Sequence, residues 1–481
     1  MKLIDLLKGI DYKVIKGSLD IDIVDLSYDS RDISLGYGFV CLRGIDSDGH
    51  DYISSAVSKG CICAFIDKDI HVEEDITVIR LNNCRQSLSY LSSNLFGNPG
   101  ESLIKIGITG TKGKTTVSWL IRSILSNANT KVGVIGTMGT FIEDKLYEHK
   151  NTTPSSYLIQ KYMRKMVDSG IKYLVMEVSS QALKDYRVNN IYFDYGIFTN
   201  LSMDHVGPRE HSSFDDYKYS KSKLFRQCRV GIFNSDDSYY RDMVNDSTCI
   251  KYFYGFNGKD LTVKDYSRYI DNDFIGIRFS TIGLVNDSFL ISNPGVFSLY
   301  NATCVLLLCK LLNVNIKTVK KTFKSFSVPG RCQNFNLKRG VKVVIDYAHN
   351  NVSMESIIKT MKEYNCGRVV CVFGCGGGRS KDIRIGLGEV ASKYADLSIV
   401  TSDNPRYDDI NDINNDIVKG IKKNNGKYIV IPDREEAIKY SVQNALDSDI
   451  ILLLGKGHEK FQEVNGIVYP FDEESIINQF I

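Results

Sequence analysis

The stretch GITGTKGKTT at residues 107–116 decides the fold of this 481-residue chain. An apolar run at 103–108 precedes it and a helical pattern at 117–125 follows it, which predicts a strand, a glycine loop and a helix. Such a loop lets backbone N–H groups surround a phosphate chain at the helix N-terminus. Lys114 would supply charge for the β- and γ-phosphates, and the Thr115 hydroxyl would hold magnesium. We expect a nucleotide site, although the spacing from Gly110 to Gly113 is shorter than in the G-x-x-x-x-G-K pattern.

Composition and charge exclude several other classes of protein. The 60 basic and 57 acidic residues give a net charge of +3, which is no footprint for nucleic-acid binding. Charges interrupt residues 1–8 too often for a signal peptide, and no apolar run has membrane-spanning length. The 12 cysteines form no zinc pattern, since the pair Cys371 and Cys375 has no second pair. We expect a cytoplasmic, monomeric protein with reduced and mostly buried thiols.

Apolar runs of strand length divide the chain into three blocks, residues 1–100, 101–328 and 329–481. In the second and third blocks they alternate with helical stretches, which predicts a mostly parallel, doubly wound sheet followed by a second α/β unit. The turns at 97–100 and 328–331 mark the boundaries between the blocks. The runs lie at 39–42, 61–66 and 77–81, at 132–135, 173–178, 195–199 and 230–234, and at 343–346, 368–373, 397–401, 428–431 and 450–454.

Short polar clusters follow six of these runs directly. Functional residues in parallel α/β sheets gather where the strands end. Each cluster alone is also compatible with an ordinary turn, but together they predict a ligand site between two α/β domains. The clusters lie at residues 177–180, 199–205, 346–349, 374–377, 402–406 and 455–459.

With these clusters in this order, the chain resembles the Mur ligases of peptidoglycan synthesis, and within that family the members that add the third amino acid. The resemblance covers nearly the whole chain. It implies the three-domain Mur ligase architecture: an N-terminal domain that binds the UDP-sugar, a central P-loop ATPase domain and a Rossmann-like C-terminal domain that binds the amino acid. The motifs that carry it are YDSR at 28–31, DGHDYI at 48–53, the phosphate loop, GKGHE at 455–459 and PFD at 470–472.

The resemblance also implies an ATP- and Mg²⁺-dependent amide ligase that works through an acyl phosphate. Lys114, Glu177, His205 and Lys221 would be its catalytic residues. Thr115 and Glu177 would coordinate a first magnesium, which prefers oxygen ligands, and His205 would be a ligand of a second magnesium. A carbamylated Lys221 would also be a magnesium ligand, because carbamylation makes a lysine resemble a carboxylate. From sequence alone His205 is more typical of a structural histidine, and Lys221 of a solvated helix charge.

Three substrate-binding sets follow from the same resemblance. The ATP set is Gly110, Thr111, Lys112, Gly113, Lys114, Thr115, Thr116, Asn301, Arg331 and Asp346. The set for the UDP-N-acetylmuramoyl dipeptide is Ser27, Ser30, Asn151, Thr152, Thr153, Ser179 and Arg187. The set for the amino acid is Arg384, Asp403, Asn404, Arg406, Gly455 and Glu459.

The DNPR motif at 403–406 resembles the form found in family members that add meso-diaminopimelate, and this resemblance implies meso-diaminopimelate as the added amino acid. Its distal carboxylate would be gripped by Arg406, and its distal ammonium would be received by Glu459. As a turn alone, the motif carries no such specificity.

Departures from the family pattern leave alternatives open. The family commonly has His where this chain has Gln181, a different segment at 206–211, and Met-Glu in place of Cys332 and Gln333. A ligase that adds lysine or another amino acid, or a paralogue with a different acyl acceptor, would also fit. More distant alternatives are a folylpolyglutamate- or cyanophycin-type ligase and a phosphate-loop switch protein without ligase chemistry. The motif at 28–31 argues against a folylpolyglutamate- or cyanophycin-type ligase. The second metal site argues against a switch protein, because a protein that only binds a nucleotide does not need it.

Overall fold

The computed structural model describes residues 1–204, 206–207, 210–271, 274–364 and 367–481. The chain divides into two compact units. The first contains Met1–Thr262 and Cys304–Asn315, and the second contains Val263–Thr303 and Ile316–Ile481. The boundaries of the three predicted blocks stay a prediction.

The N-terminal part of the first unit is a five-stranded sheet with the order β1-β5-β4-β3-β2. Only β1 is antiparallel to its neighbour, β5. The elements are α1 (Leu3–Leu6), β1 (Tyr12–Lys16), β2 (Leu26–Ser27), β3 (Tyr37–Val40), α2 (Ile53–Ser58), β4 (Cys61–Ile66), β5 (Thr77–Leu81) and α3 (Cys84–Leu95).

The rest of the first unit is built on parallel strands in the order β13-β12-β11-β6-β10-β7, continued by antiparallel β8 and β9. Helices cover both faces of such a sheet, and β10 and β7 are accordingly buried throughout. The elements are β6 (Ile104–Thr109), α4 (Lys114–Asn127), β7 (Val132–Gly136), β8 (Gly139–Ile142), β9 (Lys145–Tyr147), α5 (Ser156–Asp168), β10 (Tyr173–Glu177), α6 (Ser180–Lys184), β11 (Phe193–Phe198), α7 (Phe214–Ser222), β12 (Cys228–Asn234), α8 (Tyr240–Val244) and β13 (Ile250–Gly255).

Three strands and two helices precede the C-terminal sheet in the chain. β15 pairs antiparallel with β16, and α10 packs on β16. The elements are β14 (Leu261–Ile270), β15 (Ile275–Gly283), β16 (Asp287–Ile291), α9 (Val296–Leu311) and α10 (Ile316–Ser325).

The C-terminal sheet has the order β17-β18-β22-β19-β20-β21, parallel from β18 to β21. Separate apolar clusters cover its two faces, so β22 is buried along its whole length. The elements are β17 (Gln333–Asn336), β18 (Lys342–Asp346), α11 (Asn351–Lys362), β19 (Val369–Phe373), α12 (Lys381–Tyr394), β20 (Leu397–Val400), α13 (Ile410–Lys423), β21 (Tyr428–Val430), α14 (Arg434–Gln443), β22 (Ile450–Leu454), β23 (Phe461–Val464), β24 (Ile467–Pro470) and α15 (Glu473–Ile477).

The α/β fold predicted from the sequence is confirmed. All twelve apolar runs are strands, with bounds within two residues of those expected. The eleven cysteines among the described residues are free and buried, as expected. No helix in the described ranges combines the length and hydrophobicity that crossing a membrane needs.

Candidate active site

The phosphate-loop sequence folds as a strand, a loop and a helix, namely β6, residues 110–113 and α4. Gly110 has a φ of 149°, and a Cβ there would lie 2.0 Å from Thr199 Oγ1. Gly113 has a φ of 87° and is the N-cap residue of α4, so both positions favour glycine. The first amides of an α-helix have no carbonyl of their own helix to donate to, so the N-terminus of α4 is suited to an anion.

The loop that follows β11 holds the phosphate loop. The amide of Thr111 donates to Asn200 O at 2.9 Å, and that of Lys112 donates to Asn200 Oδ1 at 3.0 Å. Thr199 Oγ1 donates to Lys112 O at 2.7 Å. Two of the amides expected to cradle ATP are therefore engaged by Asn200, a residue that the sequence did not single out.

Two lysines meet at one backbone carbonyl. Lys114 Nζ lies 2.8 Å from Gly110 O and 3.0 Å from Thr111 O, and Lys221 Nζ lies 2.9 Å from Gly110 O. Lys221 is buried, and its ammonium lies 4.6 Å from the centre of the Tyr217 ring. Burial, reinforced by the nearby Lys114 cation, lowers the pKa of the Lys221 amine well below its usual value. Lys221 is therefore no solvated helix charge.

A buried carboxylate, Glu177, lies at the end of β10 and is surrounded by hydroxyls. Thr115 Oγ1 and Thr137 Oγ1 donate to Glu177 Oε2 at 3.0 and 2.9 Å. The Thr137 amide and Ser118 Oγ donate to Oε1 at 3.2 and 3.4 Å. Carboxylate and hydroxyl oxygens are the donors that a hard cation prefers, so Thr115 and Glu177 fit Mg²⁺.

Four residues of the predicted muramoyl-dipeptide set gather beside Glu177. Thr153 Oγ1 donates to Glu177 O at 2.7 Å and accepts from the Ser179 amide at 3.0 Å. Arg187 Nη1 donates to Thr153 O at 2.9 Å. The hydroxyls of Thr152 and Thr137 lie 3.2 Å apart.

Gln181 stands where the family commonly has histidine, and it belongs to the same assembly. Its Nε2 donates to Asp185 Oδ1 at 3.1 Å, and Asp185 Oδ2 accepts from Arg187 Nη2 at 3.1 Å. Gln181 therefore helps to orient Arg187 through Asp185.

The predicted muramoyl-dipeptide set also includes Asn151, Ser27 and Ser30. Asn151 O accepts a hydrogen bond from His149 Nδ1 at 2.6 Å. Ser27 ends β2 and Ser30 begins a short 3-10 helix, and between them Ser27 Oγ accepts from the Asp29 amide at 3.0 Å. His205, the predicted ligand of the second magnesium, lies outside the described residues.

In the second unit, two of the predicted nucleotide-binding residues lie beside Tyr347. The Arg331 guanidinium is 4.6 Å from the centre of the Tyr347 ring, and its buried Nε has no hydrogen-bond partner among the described residues. Asp346 Oδ2 accepts from the Cys332 amide at 2.9 Å. Burial raises the pKa of the Asp346 carboxyl, opposed by the Arg331 charge. The third, Asn301, is buried in α9.

The loops that follow β20 and β22 bring the acid and amide of the amino-acid set together. Asn404 Nδ2 donates to Glu459 Oε2 at 2.9 Å, and the Tyr347 hydroxyl donates to Glu459 Oε1 at 3.2 Å. Asp403 and Gly455 are also close, since a Cβ on Gly455 would lie 2.4 Å from Asp403 Oδ2. The clusters at 346–349, 402–406 and 455–459 therefore meet at one edge of the sheet, as predicted.

The two arginines of the amino-acid set are each held by a carboxylate. Arg384 Nη2 bonds to Asp408 Oδ2, and Arg384 Nη1 lies 3.7 Å from Asp416 Oδ2. Arg406 Nε lies 3.4 Å from Glu463 Oε2. The sequence did not single out these three acids.

Arg406 also has a left-handed backbone, with a φ of 54°. Its amide donates to Glu463 O at 3.0 Å, and its Nη1 donates to Gly377 O at 3.1 Å. These bonds hold the strained arginine between the β23–β24 hairpin and the loop after β19.

Some of the residues that were not singled out had a detectable signal. Thr137 follows β7, the neighbour of β10, so the rule for strand ends applies to it as well. Tyr347 and Lys456 lie inside two of the polar clusters. Asn200 lies in a third, whereas nothing in the sequence marks Tyr217. No group of three His, Cys, Asp or Glu side chains forms a metal site within the part of the chain that the structure describes.

Three descriptions of Mur ligase domains match the sequence. The Mur ligase family catalytic domain matches residues 22–91, the Mur ligase middle domain matches 108–309, and the Mur ligase glutamate ligase domain matches 330–457.

Relatives match over the full length. The UDP-N-acetylmuramoyl-L-alanyl-D-glutamate–2,6-diaminopimelate ligase of Caldanaerobacter subterraneus subsp. tengcongensis is 39% identical, with 100% of this chain and 99% of the relative covered. The Clostridium perfringens enzyme of the same name is 37% identical, with 99% of each covered. A solved structure of a ligase of this name superposes with a TM-score of 0.74 at 25% identity, covering 100% of this chain and 98% of that one. The chain belongs to the Mur ligase family.

Proposed function

We propose that the protein is an ATP-dependent ligase that adds meso-2,6-diaminopimelate to UDP-N-acetylmuramoyl-L-alanyl-D-glutamate during peptidoglycan synthesis and cell-wall formation. The observation that carries this proposal is the end-to-end match to ligases named for that reaction. Because ATP and a UDP-linked precursor are its substrates, we place it in the cytoplasm. Its monomeric state stays a prediction.

The reaction has two steps. A carboxylate oxygen of the D-glutamyl residue attacks the γ-phosphorus of ATP, and ADP leaves. The amine of the amino acid then attacks the acyl carbon, loses a proton and expels phosphate, which leaves an amide bond. Both steps concentrate negative charge where the phosphoryl group moves, so positive charge must be placed there in advance.

Lys114 and Lys221 would have different roles in this chemistry. Lys114 begins α4, so its ammonium and the helix N-terminus would contact the same phosphates. Lys221 would act as a carbamate, formed when its nitrogen bonds to the carbon of CO₂ and loses a proton. That change turns a buried neutral amine into a buried anion near Lys114, whose ammonium donates to the same Gly110 carbonyl.

Magnesium would be held by Thr115, Glu177, His205 and the carbamate of Lys221. When bound, it would neutralise charge on the phosphates. The hydroxyls around Glu177 hold its two oxygens in fixed directions, which favours a defined ligand geometry.

The muramoyl dipeptide would bind to Asn151, Thr152, Thr153, Ser179 and Arg187, with Ser27 and Ser30 near the uridine diphosphate. Hydroxyls and one oriented guanidinium suit a pyrophosphate and a peptide carboxylate. In support, Thr153 bonds to the backbone of both Glu177 and Ser179.

The amino acid would bind between Arg384, Arg406 and Glu459. Diaminopimelate and lysine differ by the distal carboxylate, which the two arginines would receive. Lysine would leave both guanidinium groups without that partner. The relatives carry diaminopimelate in their names, so the lysine alternative and the alternative acyl acceptor are not favoured.

Phosphate release from ATP tests the function. We expect release only when ATP, Mg²⁺, the UDP-muramoyl dipeptide and meso-diaminopimelate are all present, with a tripeptide product in the mass spectrum. Release that needs only ATP and Mg²⁺ would favour a nucleotide-binding protein without ligase chemistry. Release with a folate or another acyl acceptor would favour the more distant ligases.

A further inference from the structure

One buried lysine, Lys456, has no part in the function proposed above. Its side chain is fully buried in the loop after β22, between Gly455 and Gly457. Burial lowers the pKa of its amine, although the charge of Asp403 opposes the effect. Burying an amine costs free energy of folding unless its N–H groups donate hydrogen bonds. The acceptor of Lys456 therefore indicates what this lysine holds in place.

The partner of Lys456 is the amide side chain of Asn404. Lys456 Nζ donates to Asn404 Oδ1 at 2.9 Å, and the backbone amide of Glu463 donates to the same oxygen at 3.1 Å. A backbone N–H and an ammonium can each only donate hydrogen bonds. The oxygen of Asn404 must therefore face Lys456, and its nitrogen must face the other way.

The nitrogen of Asn404 faces Glu459. Asn404 Nδ2 lies 2.9 Å from Glu459 Oε2, while the Tyr347 hydroxyl holds Oε1 at 3.2 Å. If the amide of Asn404 turned over, its oxygen would face the Glu459 carboxylate and the bond would be lost. The lysine therefore orients the Glu459 carboxylate through Asn404, and its Nζ also lies 3.8 Å from Glu459 Oε2, where its charge attracts the carboxylate directly.

We propose that Lys456 is a positioning residue for amino-acid recognition, which holds the Asn404 amide in the one orientation that aims Glu459 at the distal ammonium of diaminopimelate. The proposal rests on the function proposed above. In this proposal Lys456 contacts neither ATP nor the dipeptide, so its loss should affect the binding of diaminopimelate alone.

The test compares Lys456→Met with the wild type in full steady-state kinetics. Methionine fills a similar volume but donates no hydrogen bond. We expect the KM for meso-diaminopimelate to rise about tenfold, with the KM for ATP and kcat changed by less than about twofold. The matched control is Lys460→Met, which removes a neighbouring lysine that pairs with Asp472 at the surface and should leave all three values unchanged.

A double-mutant cycle with Glu459→Gln separates positioning from a general structural role. If Lys456 acts through Glu459, adding Lys456→Met to Glu459→Gln should change the KM for diaminopimelate by less than about twofold. A further tenfold rise in the double variant, or an equal rise in the KM values for ATP and diaminopimelate, would overturn the proposal.

A second variant covers the case in which Lys456→Met does not fold. Asn404→Asp keeps an oxygen that faces Lys456 and the Glu463 amide, gives Lys456 a charged partner, and replaces the donor to Glu459 by a carboxylate oxygen that repels Glu459. We expect a folded protein with at least a tenfold higher KM for diaminopimelate, and an unchanged value would overturn the proposal. A wild-type enzyme that does not use diaminopimelate at all would instead refute the function on which it rests.

Discussion

The site in the first unit and the site in the second unit are built by different means. Around the phosphate loop, charged side chains form hydrogen bonds with backbone carbonyls or with hydroxyls. Lys114 and Lys221 both donate to the Gly110 carbonyl. Around the amino-acid pocket, charged side chains rest on other charged or amide side chains, as Arg406 does on Glu463 and Glu459 does on Asn404.

The difference matches what each site must do. Phosphoryl transfer needs fixed charge at a fixed place, and backbone carbonyls of the phosphate loop, which Asn200 holds by hydrogen bonds, supply rigid support. Amino-acid selection needs the placement of a few groups that distinguish one substrate from another, and networks of side chains can be altered without disturbing the sheet. Damage to the first site should therefore stop turnover, whereas damage to the second should change the choice of substrate.

The largest effect is expected from Lys114→Ala. Removing the ammonium that neutralises charge as the phosphoryl group moves should lower kcat by about 10²–10³-fold while the protein stays folded. Stopped phosphate-release assays and thermal unfolding measure the two quantities. Lys145→Ala, which removes an exposed lysine of the edge strand β9, is the control for net charge. Near-normal turnover of Lys114→Ala would exclude the proposed ATP site.

The next effect in size is expected from Lys221→Ala. Loss of the proposed carbamate should lower kcat by about 100-fold, and millimolar formate or acetate should restore part of the activity by filling the vacated ligand position. Lys218→Ala in the same helix, where the side chain pairs with Asp215 at the surface, is the control. A carbon-13 spectrum that shows no carbamate in the active, magnesium-loaded enzyme would contradict the assignment.

A smaller effect, confined to one substrate, is expected from Arg406→Ala. Losing a charge-assisted pair with the distal carboxylate costs about 2–5 kcal/mol, so kcat/KM for meso-diaminopimelate should fall by about 30-fold or more. Lysine has no such carboxylate, so its slow use should change little and serves as the internal control. Equal losses for both amino acids would show that Arg406 supports the loop rather than reading the substrate.

The last prediction concerns stability and not turnover, at His458. Burial, together with the Arg331 charge, lowers the pKa of this histidine from 6.5 to about 4. The unfolded chain takes up a proton below pH 6.5 while the folded protein does not, so this residue should reduce stability as pH falls from 6.5 to about 4, by about 3 kcal/mol at most. Denaturant unfolding of the wild type and His458→Gln across this range measures the difference. Parallel pH curves for the two proteins would contradict the prediction.

Most of the strands and the polar strand ends were predictable because they depend on local pattern. Buried parallel strands have continuous apolar runs, and β4, β5 and β22 begin and end at the predicted residues. By contrast, β14 carries several exposed charged and polar residues, so its sequence has no strand-like run.

One missed element did have a signal. Asn465 and Gly466 join β23 to β24 with φ values of 50° and 75°, and Asn-Gly between alternating residues is a strong indication of a hairpin. The hairpin matters because it places Glu463 beside Arg406.

The contacts among distant loops could not be predicted from local pattern. Lys456 and Asn404 are 52 positions apart, and only the neighbouring positions of β20, β19 and β22 in the sheet bring their loops together. A family resemblance supplied the arginines and Glu459, but it gave no information on what holds them. Those supporting residues are visible only in the folded chain.

One competition experiment tests the central claim, that the enzyme combines a phosphoryl-transfer site with a second site that recognises the distal carboxylate of diaminopimelate. The wild-type enzyme is supplied with ATP, Mg²⁺, the UDP-muramoyl dipeptide and equal concentrations of meso-diaminopimelate and lysine, and the two tripeptide products are quantified by mass spectrometry. We expect the diaminopimelate product to exceed the lysine product by about 30-fold or more. A lysine product equal to or larger than the diaminopimelate product would contradict the account of the second site.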